Sequence, residues 1–310
     1  MNVTDRLDMQ PEGAYVGLQD LQKLRYLAEP MASSKTMARA STGSGQHRSR
    51  ALSRGMEFEE VRLYQPGDDV RNIDWRVTAR TQVTHTKCYR DEKEKPVITL
   101  VDQRRSLFFG SQFCFKSVYA CHLAALINWS TIKRGDRSGG LVLGTHGIHE
   151  TRPGRSHQSV NRWLQLLAQS NSDININQQH NEPTFADALK QLIRVSNTGT
   201  ECILISDFYD LDHDCEKLLF QLSRHNHVVL YWVTDNLEKT LPLLPSITVS
   251  NNQEKQTIPI DKNQQNLHHK SFLKKRHYLK NIAQKISIPL IEVNTTDTLN
   301  TLLKNGLVKK

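Results

Sequence analysis

Asp102 ends the run PVITLVD (96–102), and Asp207 closes the similar run in ECILISDF (201–208). A bare apolar run ending in a polar residue marks a strand buried on both faces. In an open parallel sheet the groups at the carboxyl ends of strands share one crevice, into which helix N-termini point free amides. Ser106, just after Asp102, and Thr184, at the head of a helical segment, bring hydroxyls to the same mouth. Two carboxylates and two hydroxyls are hard oxygen donors of the kind that suits Mg²⁺. As an enzyme, such a site would carry out metal-dependent phosphoryl transfer or hydrolysis with Asp102 and Asp207.

The elements that position these residues run from Lys95 onward. After the strand at 96–102 comes a helix over Phe113 to Lys133, stopped by Gly135 and Asp136, then a hairpin from RSGGLVLG and GIHETR. Helices are expected at Ser156 to Ala168, Thr184 to Val195 and Asp212 to Arg224, with strands at 201–208 and 227–233 between and after them. A hairpin over 246–260, a helix from Gln264 to Gln284, a strand at 288–293 and a last helix from near Thr296 complete the pattern. Strands separated by helices of about ten or more residues imply right-handed crossovers and a doubly wound, mostly parallel α/β sheet.

The 310 residues allow two compact units at about 150 residues each, and the expected division is 1–94 and 95–310. The first part opens with an amphipathic helix over 16–28, in which Leu18, Leu21, Leu24 and Leu27 recur once per turn. A Ser-, Gly- and Arg-rich loop comes next, with His47, Arg48, Arg50 and Arg54 among its basic residues. Strand-like EFEEVRLY and QVTHTKCY then flank QPGDDVRNIDW, where Pro66 and Gly67 mark a turn and Asp68 or Asp69 caps the adjoining segment. Arg62, Arg71, Arg76 and Arg80 alternate with acids, which favours internal ion pairs, and Trp75 reads as core.

Several functions lack their signals. No phosphate-cradling glycine loop or nucleophile elbow occurs. The five cysteines form no Cys-x-x-Cys and read as reduced core fillers. His146 and His149 fall in a hairpin, where imidazoles are not brought to one helix face. No apolar run approaches the roughly 18 residues of a membrane span, and the acidic, Pro-containing start does not resemble an export signal, so the cytoplasm is the expected compartment. Net charge is +9, with 41 Lys and Arg against 32 Asp and Glu, so nucleic-acid binding through the basic loop stands as a further alternative. The loop has no aromatic residue for base stacking, which ranks that alternative last.

The stretch from Gly45 to Gly110, with GQHRSRALSRGMEF and VRLYQPGDDVRNIDWRVTAR, resembles the bacterial domain-of-unknown-function family fifty-eight. Its recurring residues here are Tyr64, Pro66, Gly67, Asp68, Asp69, Arg71, Asp74 and Trp75. The resemblance implies a von Willebrand factor A-like domain fused to a small N-terminal lobe. It also implies a protein-interaction adaptor rather than an enzyme, working beside a MoxR-type AAA+ ATPase and other von Willebrand factor A-domain proteins. Metal-binding domains of that type carry Asp-x-Ser-x-Ser, plus a Thr and an Asp from later loops. This chain reads Asp102-Gln103-Arg104-Arg105-Ser106, with Thr184 and Asp207 in the later places. Arg104 stands where a ligand Ser belongs; a guanidinium cannot ligate a cation, repels Mg²⁺ and pairs with Asp102 or Asp207. The expectation is therefore a degenerate metal site, with no cofactor, whose fixed positive charge meets an acidic partner. On that view Arg104→Glu abolishes partner capture and leaves the thermal transition little changed.

Overall fold

Strand β3 (Pro96–Gln103) is buried along its whole length after the first residue, as its run of Val, Ile and Leu requires. The computed structural model describes residues 10–28, 56–91, 95–174, 182–242, 246–250 and 255–299. The chain divides into two units, Met1–Ser41 with Lys95–Lys310, and Thr42–Glu94. The amphipathic helix that the sequence grouped with the lobe belongs instead to the larger unit. Its ordered core, α1 (Leu18–Lys23), is shorter than the expected 16–28. Leu21 and Leu24 are fully buried in the same cluster as Trp129, whose indole donates to the Leu21 carbonyl at 3.0 Å.

In the larger unit β3 is followed by α3 (Lys116–Lys133), β4 (Arg137–Gly144), β5 (Gly147–Gly154), α4 (His157–Ser172) and α5 (Phe185–Val195). Then come β6 (Glu201–Ser206), α6 (His213–Ser223), β7 (His227–Thr234) and the short α7 (Asn236–Lys239). A two-stranded hairpin of β8 (Ser246–Ser250) and β9 (Lys255–Pro259), α8 (Lys262–Ile286) and β10 (Leu290–Asn294) complete it. The helix expected from Thr296 falls mainly outside the described residues.

The six-stranded sheet runs β10-β7-β6-β3-β4-β5, all parallel except β5, which pairs antiparallel with β4. Helices α1, α3 and α4 cover one face, and α5, α6 and α8 cover the other, so the α/β sheet is doubly wound. Helix α3 lies so deep that every residue from Lys116 to Thr131 is buried. Gly140 of β4 lets α4 approach the sheet: a Cβ there would stand 2.6 Å from the Trp163 ring of α4 and 2.5 Å from the Thr99 carbonyl. Order along the sheet reverses at β3, with β4 on one side and β6 on the other. A crevice therefore opens beyond the carboxyl ends of β3 and β6, where Asp102 and Asp207 lie.

The smaller unit contains an antiparallel pair, β1 (Met56–Leu63) and β2 (His85–Asp91), with α2 (Trp75–Thr81) between them. Asp69 accepts from the Arg71 amide at 3.0 Å, and Asp74 caps α2 through the Arg76 and Val77 amides, both at 3.1 Å. Hydrogen bonds from these helix amides, Val77 first, hold the Asp74 carboxyl below its ordinary pKa. Arg62 pairs with Asp68 at 2.7 Å, whereas Arg71, Arg76 and Arg80 are exposed. Trp75 corrects the expectation of a core residue: in the first turn of α2, after the Asp74 cap, it is 69% exposed. Loop residues Lys35, Arg39, His47, Arg48, Arg50 and Arg54 lie outside the described residues.

Candidate functional site: a charged mouth at the strand ends

Arg104 follows β3 directly, and its guanidinium turns back over the strand end. Nε donates to Asp102 Oδ1 at 3.0 Å and Nη2 to Asp102 Oδ2 at 2.8 Å. On the other side Nη1 and Nη2 donate to the two Asp210 oxygens at 2.7 and 2.8 Å. Nη1 also reaches the Pro183 carbonyl at 3.2 Å, so all five guanidinium N–H groups are used. The sequence reading offered Asp102 or Asp207 as partners; the structure gives Asp102 and Asp210. Arg104 is 6% exposed. Burial disfavours its charge, but the bonds to Asp210 and Asp102 outweigh that and raise its pKa.

Asp102 is fully buried and meets donors only. The Arg104 amide reaches Oδ1 at 3.1 Å, and Ser206 Oγ, fixed by accepting the Phe208 amide at 2.9 Å, donates to Oδ2 at 2.7 Å. Burial, with the neighbouring Asp207 charge, raises the Asp102 pKa, and the Arg104 and Ser206 bonds pull against it. With no acceptor beside it, the carboxylate form fits these partners. Asp210 also accepts the Phe185 amide at 2.9 Å. Burial works against its charge, yet the bonds from Arg104 and Phe185 hold its pKa below the ordinary value.

A second buried cation stands beside the first. Lys116, at the start of α3 and 1% exposed, bridges Asp207 at 3.0 Å and Glu238 at 2.7 Å. Burial opposes its charge, and Asp207 and Glu238 overcome this to raise its pKa. Asp207 also accepts from the Tyr209 amide at 3.1 Å and, more loosely, from Ser106 Oγ at 3.4 Å. Glu238 closes a capping box with Asp235, the acid after β7. Sequence reasoning missed Asp210, Lys116, Asp235 and Glu238. Asp235 was readable, since HVVLYWVTD ends in an acid by the same rule that found Asp102 and Asp207.

Asp102, Arg104, Ser106 and Asp207 thus share one mouth. Thr184 has another task. It is the N-cap of α5, accepting the Asp187 amide at 3.1 Å and donating to Asp187 Oδ2 at 2.8 Å, and it is exposed. Thr184→Ala is expected to lower stability by about 1 kcal/mol in denaturant unfolding, through the lost cap alone.

The residues present do not fit a divalent ion. Both Asp102 oxygens are held by the Arg104 guanidinium, and Asp207 is held by Lys116. Among the described residues no group of three or more His, Cys, Asp or Glu is placed to hold a metal. The burial also corrects the expectation for Arg104→Glu: a carboxylate set between Asp102 and Asp210 repels both, so the thermal transition must fall.

The sequence pattern of the family described as "Protein of unknown function DUF58" matches residues 60–278. The chain belongs to this family. Among the DUF58 chain's relatives are uncharacterized proteins of Mycobacterium tuberculosis and Mycobacterium bovis, 33% identical over 191 residues. The match covers 61% of this chain and spans 58% of those relatives' own length. Of solved structures, the SpRpn10 VWA domain aligns with a TM-score of 0.38 and 10% identity, covering 69% of this chain and 95% of that one. An uncharacterized membrane spanning protein from Vibrio fischeri aligns with a TM-score of 0.25 and 14% identity, covering 65% and 91%. No described helix of the DUF58 chain is long and apolar enough to cross a membrane.

Proposed function

We propose that this DUF58 chain is a non-enzymatic adaptor that docks a partner protein at the carboxyl edge of its sheet. The partner is a MoxR-type AAA+ ATPase, and the pair acts in the cytoplasm in chaperone-like complex maturation or envelope stress. The ATPase comes from the family resemblance. The docking face rests on one observation: the charged mouth is closed by internal ion pairs and framed by exposed aromatics. Phe109 is 39%, Phe113 56% and Tyr209 78% exposed. Phe109 stands over the Lys116 ammonium at 5.9 Å, and the Tyr209 amide is tied to Asp207, so these rings border the buried cations. Phe113 holds a left-handed φ of 52°, fixed by its carbonyl accepting the Gly13 amide at 2.8 Å. Exposed aromatics on a rigid, preorganised edge are the usual anchors of protein interfaces.

The enzymatic reading needs Asp102 and Asp207 available to substrate or metal, and both are committed to cations. The adaptor reading is tested by capturing the MoxR-type ATPase from the same genome on the immobilised DUF58 chain. Phe113→Ser with Tyr209→Ser is expected to weaken capture by about tenfold or more while the melting temperature stays within about 2 °C. Capture equal to wild type would exclude this face.

A further inference from the structure

A cavity of about 520 Å³ lies at the opposite, amino-terminal edge of the sheet, so what it binds is independent of the adaptor reading. Its floor is apolar, formed by Pro96 and Ile98 of β3 and Leu141 of β4, with Val195 and Pro153 at the sides. Among the described residues its rim carries Arg137, Arg152 and Arg194 against one acid, Glu150, which accepts a hydrogen bond from Gln191 at 2.9 Å. The cavity is built into the backbone. Register between β4 and β5 shifts after Ser138, so Arg152 and Pro153 lie across from Gly139 as a bulge. Gly139 makes that possible, because a Cβ there would meet Pro153 N and the Thr151 carbonyl at 2.6 Å. The bulge swings Arg152 to the rim opposite Arg194 at the end of α5, both exposed. Pro153 and the bulge also spoil β5 as a template for a further strand, so recognition here is by side chains.

We propose that this cavity binds a small organic polyanion, with its apolar part on the Ile98 and Leu141 floor and its oxyanions on Arg152 and Arg194. The volume suits a small organic molecule, and guanidinium forks suit carboxylate and phosphate oxygens equally. Citrate and phenyl phosphate serve as probes for the two sources, with acetate as the singly charged control. Calorimetry is expected to give saturable binding of at least one probe below about 1 mM, with shifts of the Ile98 and Leu141 methyl resonances. The tighter of the two probes identifies a polycarboxylate or a phosphate ester as the ligand class. Arg152→Ser with Arg194→Ser, two exposed positions, is expected to weaken that binding about tenfold or more without moving the ligand-free melting temperature. Overturning results are no saturation by either probe, acetate binding equally well, unmoved methyl resonances, or a double variant that binds like wild type.

Discussion

Arg104→Ser is expected to cost about 3–5 kcal/mol in denaturant unfolding, because it leaves a buried carboxylate without its cation. Asp102 has no solvent exposure, and after the change it keeps only the Ser206 hydroxyl and the residue 104 amide as donors. Asp210 loses its two guanidinium bonds but keeps the Phe185 amide and partial exposure, so the cost falls mainly on Asp102. The deficit has a definite pH sign. A buried, unpaired Asp102 has a folded pKa above its unfolded value, so the folded variant binds more protons and loses stability as pH rises. The gap to wild type is therefore expected to be smaller at about pH 4 than at pH 8. A loss below about 1 kcal/mol would mean that the five-bond guanidinium contributes little.

Lys116→Met is expected to cost a similar 3–5 kcal/mol, because Asp207 is 4% exposed at its side chain and would be buried without a counter-charge. Glu238 is 30% exposed and turns to water more easily. Adding Asp207→Asn to Lys116→Met should recover part of the loss, a coupling that a double-mutant cycle reads directly. At alkaline pH the difference follows Lys116 itself. The folded pKa of Lys116 is raised, so its contribution is complete below its unfolded value of about 10.4 and is lost as pH rises through the folded one. Wild type and Lys116→Met should therefore converge in stability at strongly alkaline pH. Equal stability of the two at pH 7 would show that the Lys116 pairs do not stabilise the fold.

The sheet was legible because its strands are unbroken β-branched runs closed by polar residues, a pattern that needs no tertiary context. Helix α2 was not, since WRVTART carries Val77, Thr78 and Thr81, poor helix formers, and depends on the Asp74 cap. Helix α1 was seen as a helix but grouped with the lobe beside it in sequence, because its partner Trp129 lies 108 residues away. Asp102, Arg104, Ser106 and Asp207 could be placed at one mouth by the strand-end rule. Their pairing could not: Arg104 meets Asp210 across 106 residues and Lys116 meets Glu238 across 122, distances that only the fold closes. Lys116 did leave a trace, as a lone cation at the head of the apolar run SVYACHLAALINW. A charge in that setting is either at an end or paired.

Calorimetric titration of the wild-type chain with Mg²⁺, beside Asp102→Ala, tests most directly whether a guanidinium takes the ion's place at these strand ends. The expected result is no saturable heat from wild type, because Arg104 holds both Asp102 oxygens and Lys116 holds Asp207. Saturable uptake by wild type that disappears in Asp102→Ala would contradict it.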